Sequence, residues 1–347
     1  MTDVAQDARV EELERRLRRF HDVGGTEVLE LLAYLREPGD SVVAGGSLTF
    51  GLGNRLSDFD VVICGPETTS SKVPLEHWVG SLRVDVWTRS HADIARLFEQ
   101  AAGALTGTAP LRGCFGGVEE EQQLKLLHRV AFGLLLDGPS IDVAAGRDCA
   151  GVARDLVVRE YAERLRSSAT VAQLAANAGA WLAATVNART AVEEALHVVV
   201  TARGVPFSGD KWLADRLSTE DPRLAAVLHR FGRLPDDPGD ASAFVASAVA
   251  LCTEVTGLPL ALAALPPTAS WVNRGARLHR LGRDSLLVVP EVGALVRLSA
   301  EEAAAWQDLG TADPDLCLRL YEQGMVDLVW EHGVALTDLT LPEETPA

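Results

Sequence analysis

The sequence predicts an α+β protein in three successive parts: an N-terminal region built on a mixed sheet, a helical bundle, and a small C-terminal α+β piece. Three observations carry this. Short apolar, β-branched runs bounded by Gly, Pro and Ser fill the chain to about residue 100. From about residue 119 the text turns Ala- and Leu-rich, with apolar residues three and four apart. After the Pro-rich "LPPTAS" at 265–270, strand-like runs return. These changes set expected boundaries at 1–110, 111–264 and 271–340.

In order along the chain, Leu13 and Leu17, then Val28, Leu29, Leu31, Leu32 and Leu35, fall at helical spacing and are broken by "VGG" and ended by "EPGD". Two helices are expected there. "SVVAGG", "SDFDVVICG" and "LRVDVWT" read as three short strands. "EEEQQLKLLHRVAFGLLL", "RDLVVREYAERLRSSA", "TVAQLAANAGAWLAATVNARTAVEEALHVVVTARG" and "DKWLADRL" read as bundle helices, with a further helix over roughly 242–256. In the tail, "SLLVVPEVGALVRLS" gives strands around a turn. "AEEAAAWQDLG" gives a short helix, and "DPDLCLRLYEQGMVDLVWEHGVALTDL" gives helix, turn and strand.

Composition narrows the classes of function. The 347 residues are 47% hydrophobic and 23% charged, ordinary values for a globular chain. No apolar run is long enough for a membrane helix, and the charged, helix-like start shows no secretory signal, so a cytoplasmic location is expected. The five cysteines, Cys64, Cys114, Cys149, Cys252 and Cys317, are scattered and form no C-x-x-C pair, which speaks against a zinc site or disulfide framework. The formal net charge of −17 opposes a long nucleic acid, which needs a basic track. It says little against a small nucleotide whose charge is met by metal ions.

The chemistry is concentrated in "VVAGGSLTFGLGNRLSDFDVVICG". Side chains alternate along a strand, so Asp58 and Asp60 face one way and Phe59 the other. Two carboxylates held side by side repel unless a cation sits between them, and oxygen ligands of this kind suit Mg²⁺. Asp85, between Val84 and Val86 on a later strand, offers a third; Glu67 and Glu76 are alternatives for that role. Three such groups suit two ions, one activating a hydroxyl and one stabilising a leaving pyrophosphate. The Gly46-Ser47 turn offers backbone N–H groups and a hydroxyl to a phosphate. The same text is not a G-x-S-x-G elbow, a P-loop or a dinucleotide fingerprint.

Gly46-Ser47, ten intervening residues ending in Ser57, then Asp58-Phe59-Asp60 and the later Asp85 resemble the signature of the DNA polymerase β-type nucleotidyltransferase superfamily, and within it the minimal and aminoglycoside nucleotidyltransferases. The resemblance implies a polymerase β-like core followed by a helical bundle. It implies that Asp58, Asp60 and Asp85 bind two Mg²⁺ ions, with Asp85 helping to deprotonate the acceptor, and that Gly46, Ser47 and Ser57 hold an NTP. It also implies a triphosphate contact from a bundle lysine. Of the chain's three lysines, Lys72, Lys125 and Lys211, the last is the candidate, with a solvated first-turn lysine as the alternative. The sequence departs from the family where Phe50 stands in place of an arginine, which leaves the usual arginine contact to another basic group.

Other residues have plainer readings. Arg189 and Glu193, four apart, are favoured as a helix-surface ion pair. Glu119, Glu120 and Glu121 suit a helix start. Trp78, Trp87, Trp181 and Trp212 are read as core or interface residues, with Trp87 sharing the face of Asp85. Residues 271 to 338 resemble PqqD-like winged-helix domains, which implies leader-peptide binding by strand addition.

The expected activity is therefore Mg²⁺-dependent transfer of a nucleoside monophosphate, AMP from ATP being the first choice, to a hydroxyl or phosphoryl group. The acceptor would be a small molecule or peptide, in antibiotic or peptide natural-product metabolism; the oligomeric state is left open by the sequence, and the resemblance to related bundles implies a homodimer as one option. Two alternatives stand beside it. One is a protein-AMPylating antitoxin; the seven residues between Arg189 and His197 are too many for the Arg–His motif of the toxin such antitoxins pair with, and this chain carries its own bundle. The other is a degenerate nucleotidyltransferase acting as a peptide-binding scaffold.

Overall fold

The computed structural model describes residues 3–71, 73–111, 120–141, 148–204, 210–262, 264–281, 284–289, 294–309 and 312–341. Cys114, Glu119 and Lys72 lie outside them. The chain divides into two compact units. One comprises Met1–Gly107, Leu111–Val158 and Val200–Asp221; the other Thr108–Pro110, Arg159–Val199 and Pro222–Ala347.

The first unit opens with α1 (Asp3–His21) and α2 (Gly25–Leu32), separated at the glycines. Strand β1 (Ser41–Gly45) runs into the single-turn α3 (Gly46–Thr49). Then follow β2 (Phe59–Gly65), β3 (Leu75–Val79), β4 (Leu82–Ser90) and α4 (His91–Thr106). Helix α5 (Glu120–Phe132) and strand β5 (Leu134–Asp137) complete the sheet, whose order is β3-β4-β2-β1-β5. β2 and β4 run parallel; every other pairing is antiparallel, so the sheet is mixed.

β1 and β2 are buried along their whole length, as strands covered on both faces must be. On one face Val42, Ala44, Phe59, Val61, Ile63, Val84 and Val86 pack with Leu13 and Leu17 of α1 and Val28 and Leu32 of α2. On the other, Val62, Cys64 and Trp87 pack with Ile94, Leu97 and Phe98 of α4, Leu126 and Leu127 of α5, and Ala153 and Leu156. Burial in this second core pushes the Cys64 thiol up to about 12, so it is an inert apolar filler.

The segment around 119–136 differs from its sequence reading. Its first part is a helix, as expected, but it packs on the sheet of the first unit, and "LLLD" is an edge strand rather than more helix. The break is Gly133. A Cβ there would lie 2.3 Å from Val43 Cγ1 and from the Arg129 carbonyl oxygen, so only glycine lets the chain leave the helix against β1. Strand β3 is a second element the sequence reading lacked. It joins β4 through Gly80-Ser81, with Gly80 at φ +58° as a tight hairpin needs.

The long helices α6 (Cys149–Asn177) and α7 (Trp181–Arg203) each contribute to both units. α8 (Leu213–Glu220) belongs to the first. The second unit adds α9 (Pro222–Gly232) and α10 (Ala241–Thr256), the latter stopped by Gly257 at φ +76° donating its N–H to the Thr253 carbonyl. Within it β6 (Ala269–Asn273) precedes β7 (Arg277–Leu281), β8 (Asp284–Val289) and β9 (Ala294–Leu298), which form an antiparallel meander. α11 (Ala300–Ala305) starts with a Ser299–Glu302 capping box. α12 (Pro314–Glu322) leads to β10 (Val326–Trp330), paired antiparallel with β6. Arg189 and Glu193 pair at 2.9 Å on α7, as their spacing predicts.

No described helix is long and apolar enough to cross a membrane. Cys64, Cys252 and Cys317 are free thiols.

Candidate active site

Sheet register brings the acids together. β1 pairs with β2 so that Gly45 lies opposite Asp60, and β2 pairs with β4 so that Asp60 lies beside Asp85 and Phe59 beside Val84. Alternation then sorts the side chains. Asp58, Asp60, Arg83 and Asp85 share the face of Val62, Cys64 and Trp87, while Phe59, Val61, Val84 and Val86 enter the opposite core. β3 adds Glu76 opposite Asp85 and Trp78 opposite Arg83.

The glycine turn is shaped by what passes it. Gly46 has φ +78°, and a Cβ on it would lie 2.3 Å from Asp60 Oδ2. A Cβ on Gly45 would lie 2.7 Å from Arg129 Cγ. One glycine makes room for the aspartate and the other for the arginine that holds it. Behind the turn the Ser47 carbonyl accepts from the N–H groups of Phe50, Leu52 and Gly53, which fixes the loop toward β2. Ser57 Oγ accepts from the Asn54 N–H at 3.0 Å and steadies the approach to Asp58.

Two arginines meet the three carboxylates. Arg129, from α5, contacts Asp60 Oδ1 at 2.6 Å; both side chains are largely buried, and its guanidinium also lies 6.0 Å from the Trp87 ring centre. Arg83 donates through Nη2 to Asp58 Oδ2 at 2.6 Å and to Asp85 Oδ2 at 3.2 Å, and its Nη1 is 3.9 Å from Glu76. Arg83 Nε lies 3.2 Å from Asp85 Oδ1 at an angle that makes no hydrogen bond, and Asp85 Oδ1 is buried without a donor. Among the described residues no three His, Cys, Asp or Glu side chains are gathered closely enough to hold a metal ion as they stand. The guanidinium groups occupy the carboxylates.

The electrostatics follow. Burial raises the Asp60 carboxyl above its ordinary value; Arg129 pulls it down, and the charges of Asp58 and Asp85 push it up again. Burial also raises Asp85, with Arg83 opposing and Asp58 and Glu76 adding to the rise. The hydrogen bond to Asp58 holds Arg83 above its usual value. This face is short of positive charge even with two arginines on it. Its donor set of carboxylates, one with an orphaned buried oxygen, fits a hard divalent cation once Arg83 moves aside.

The other expected residues fall unevenly. Ser47 is buried at the turn. Lys211 is exposed, 5.3 Å from the Trp212 ring centre, and is not among the partners of the three aspartates. Phe50 carries the Arg9 guanidinium over its ring at 5.4 Å. Of the tryptophans, Trp87 and Trp212 are buried as expected, whereas Trp78 is 62% exposed and Trp181 38%. Trp78 sits on the edge strand β3, with no described strand beyond it, so of the core and interface readings the core one does not hold there. Sequence reasoning missed Arg83 and Arg129. Arg83 was readable, since alternation places it on the face of Asp85. Arg129 was not, because only the packing of α5 brings it to Asp60.

No family model matches this chain, and no curated protein does. Among solved structures it is similar to a nucleotidyltransferase-like protein from Exiguobacterium sibiricum 255-15, at 10% identity, over 66% of this chain and 74% of that one, with a TM-score of 0.34. A likeness that slight carries no inference about this chain.

Proposed function

We propose that this chain is a divalent-metal-dependent nucleotidyltransferase that transfers a nucleoside monophosphate, AMP from ATP in the first instance, to a hydroxyl or phosphoryl group of a small molecule or peptide. The observation that carries the reading is the register: Asp60 and Asp85 side by side on parallel strands, Asp58 on the same face, and a glycine turn closed against Asp60. In this reading a phosphate meets the backbone N–H groups of the turn beside the acids.

In this reading Asp58, Asp60 and Asp85 hold Mg²⁺. When bound, the ion stabilises charge on the phosphoryl oxygens and the leaving pyrophosphate and favours ionisation of the acceptor hydroxyl. Asp85 takes the acceptor's proton at Oδ1, the buried oxygen with no hydrogen-bond donor. Arg129 keeps Asp60 in place from the protein side. Gly46 and Ser47 face the triphosphate. The bond made joins the acceptor oxygen to the α-phosphorus; the bond broken releases pyrophosphate. Arg83, the more exposed of the two arginines, supplies the basic group that Phe50 does not.

The test is incubation with Mg²⁺, each of ATP, GTP, CTP and UTP, and pooled hydroxyl acceptors, antibiotics and peptides included, read by mass spectrometry for a nucleotidyl mass gain. Asp58→Asn should abolish the gain and leave the far-ultraviolet circular dichroism unchanged. Turnover retained by that variant sinks the assignment.

One observation favours a second reading. Each carboxylate already has an arginine partner. A metal-free scaffold with the arginines as permanent counter-ions would bind neither Mn²⁺ nor nucleotide.

A further inference from the structure

Arg83 and Arg129 both neutralise the acid face, but they are built differently. Arg129 threads past Gly45, has a side chain 16% exposed, and meets one aspartate. Arg83 rises from the same strand as Asp85, is 39% exposed, and spans Asp58 and Asp85, the two acids not held from α5. It reaches Asp58 at 2.6 Å and Asp85 at 3.2 Å, within the space a bridging cation would take. A divalent ion cannot share that space with a guanidinium, since the two cations repel at such separations. Glu76, in register with Asp85 and 3.9 Å from Arg83 Nη1, gives the displaced side chain somewhere to turn.

We infer that Arg83 is a positioning residue, an internal cation that a divalent ion must displace from Asp58 and Asp85 and whose release links ion binding to phosphate binding. The inference rests on the reading of the site as a metal–nucleotide site. Two consequences follow from the geometry. Without nucleotide, the ion competes with an intramolecular partner that needs no association, so its affinity is lowered. With nucleotide, the freed guanidinium meets phosphate oxygens, for which its planar fork is well suited, and the cost of displacement is offset. Ion and nucleotide then strengthen each other reciprocally, as any coupling free energy between two ligands requires.

The experiment is Mn²⁺ titration of the full chain, followed by the electron paramagnetic resonance signal of free Mn²⁺, with and without α,β-methylene-ATP. The variants are Arg83→Gln, Arg83→Lys and Asp58→Asn, each checked for folding by circular dichroism. Arg83→Gln should bind Mn²⁺ about tenfold more tightly than the parent without the analogue, within the range of ordinary coupling energies. It should also lose most of the parent's gain on adding the analogue. Arg83→Lys keeps the charge and should stay near the parent in affinity, which separates removal of a cation from a change of fold. Equal or weaker Mn²⁺ binding by Arg83→Gln overturns the inference. If that equal binding is still abolished by Asp58→Asn, the nucleotidyltransferase reading survives alone. If no variant and no parent binds Mn²⁺ with the analogue present, both fall.

Discussion

The acid face has an inner and an outer half, and they treat the same problem in opposite ways. In the inner half Arg129, Asp60, Trp87 and Gly45 are buried together, and the ion pair is enclosed by the α4–α5 core. In the outer half Arg83, Asp58, Asp85 and Glu76 lie toward the edge strand β3, where Trp78 stands open to solvent. The difference teaches that counter-ions within one site need not be equivalent. A buried cation fixes the position of its partner, because leaving either charge alone is costly. A half-exposed one is a placeholder, since water can replace it.

Substitutions should separate the halves by size of effect. Arg129→Met strands Asp60 as a buried charge and should cost about 3–5 kcal/mol in chemical denaturation; a loss below about 1 kcal/mol would place Asp60 in contact with water after all. Gly46→Ala adds a Cβ at positive φ against Asp60 Oδ2 and should cost about 1–3 kcal/mol, with nucleotide and metal binding lost even where the chain stays folded. Arg83→Gln should change stability by no more than about 1 kcal/mol, as for other half-exposed pairs. A larger loss would make the outer half as rigid as the inner.

The smallest effect is a slope. Asp85 has its pKa raised by burial, so over the window opening upward from 3.8 the folded chain binds the proton that the unfolded chain has released. Stability from this group is therefore greatest at low pH and falls as pH rises through the folded value. Asp85→Asn removes that term. The stability of the variant relative to the parent should rise with pH across this window, in urea melts at a series of pH values, while transfer activity disappears. A flat difference would mean that Arg83 fully offsets the burial of Asp85.

Much of the inner architecture was legible because it is local. The β1 turn, the alternation through Asp58, Phe59 and Asp60, and the polar–apolar pattern around Asp85 are all set by a period of two along single strands. The helix boundaries at Val23–Gly25 and near 242–256 were readable from helical spacing and the glycines that end it, which are also local signals. What escaped notice was non-local or disguised. "LLLD" continues an apolar helical pattern in one dimension, and only the close approach of Gly133 to Val43 shows why it turns into a strand. "LEHWV" does not alternate, with Glu76 and His77 adjacent and Leu75 and Trp78 exposed, so it lacks the hydrophobic weight of a buried strand. The hairpin signal Gly80-Ser81 was present in the text. Arg129 lies 69 residues after Asp60 by sequence number, and nothing short of helix packing joins them.

The pairing of Gly45 with Asp60 and of Asp60 with Asp85 has a consequence for how this chain tolerates error. Because faces alternate every residue, a slip of β2 by one position would turn Phe59, Val61 and Ile63 toward the arginines and bury Asp58 and Asp60 among Leu17 and Leu32. The hydrophobic core thus proofreads the chemistry: a molecule that has its acids in the wrong place has also lost its core and unfolds. Insertions in the loop between Gly53 and Asp58 escape this check, whereas one inside β2 does not. Resistance to proteolysis across a library of length variants would accordingly serve as a direct assay for an intact acid face.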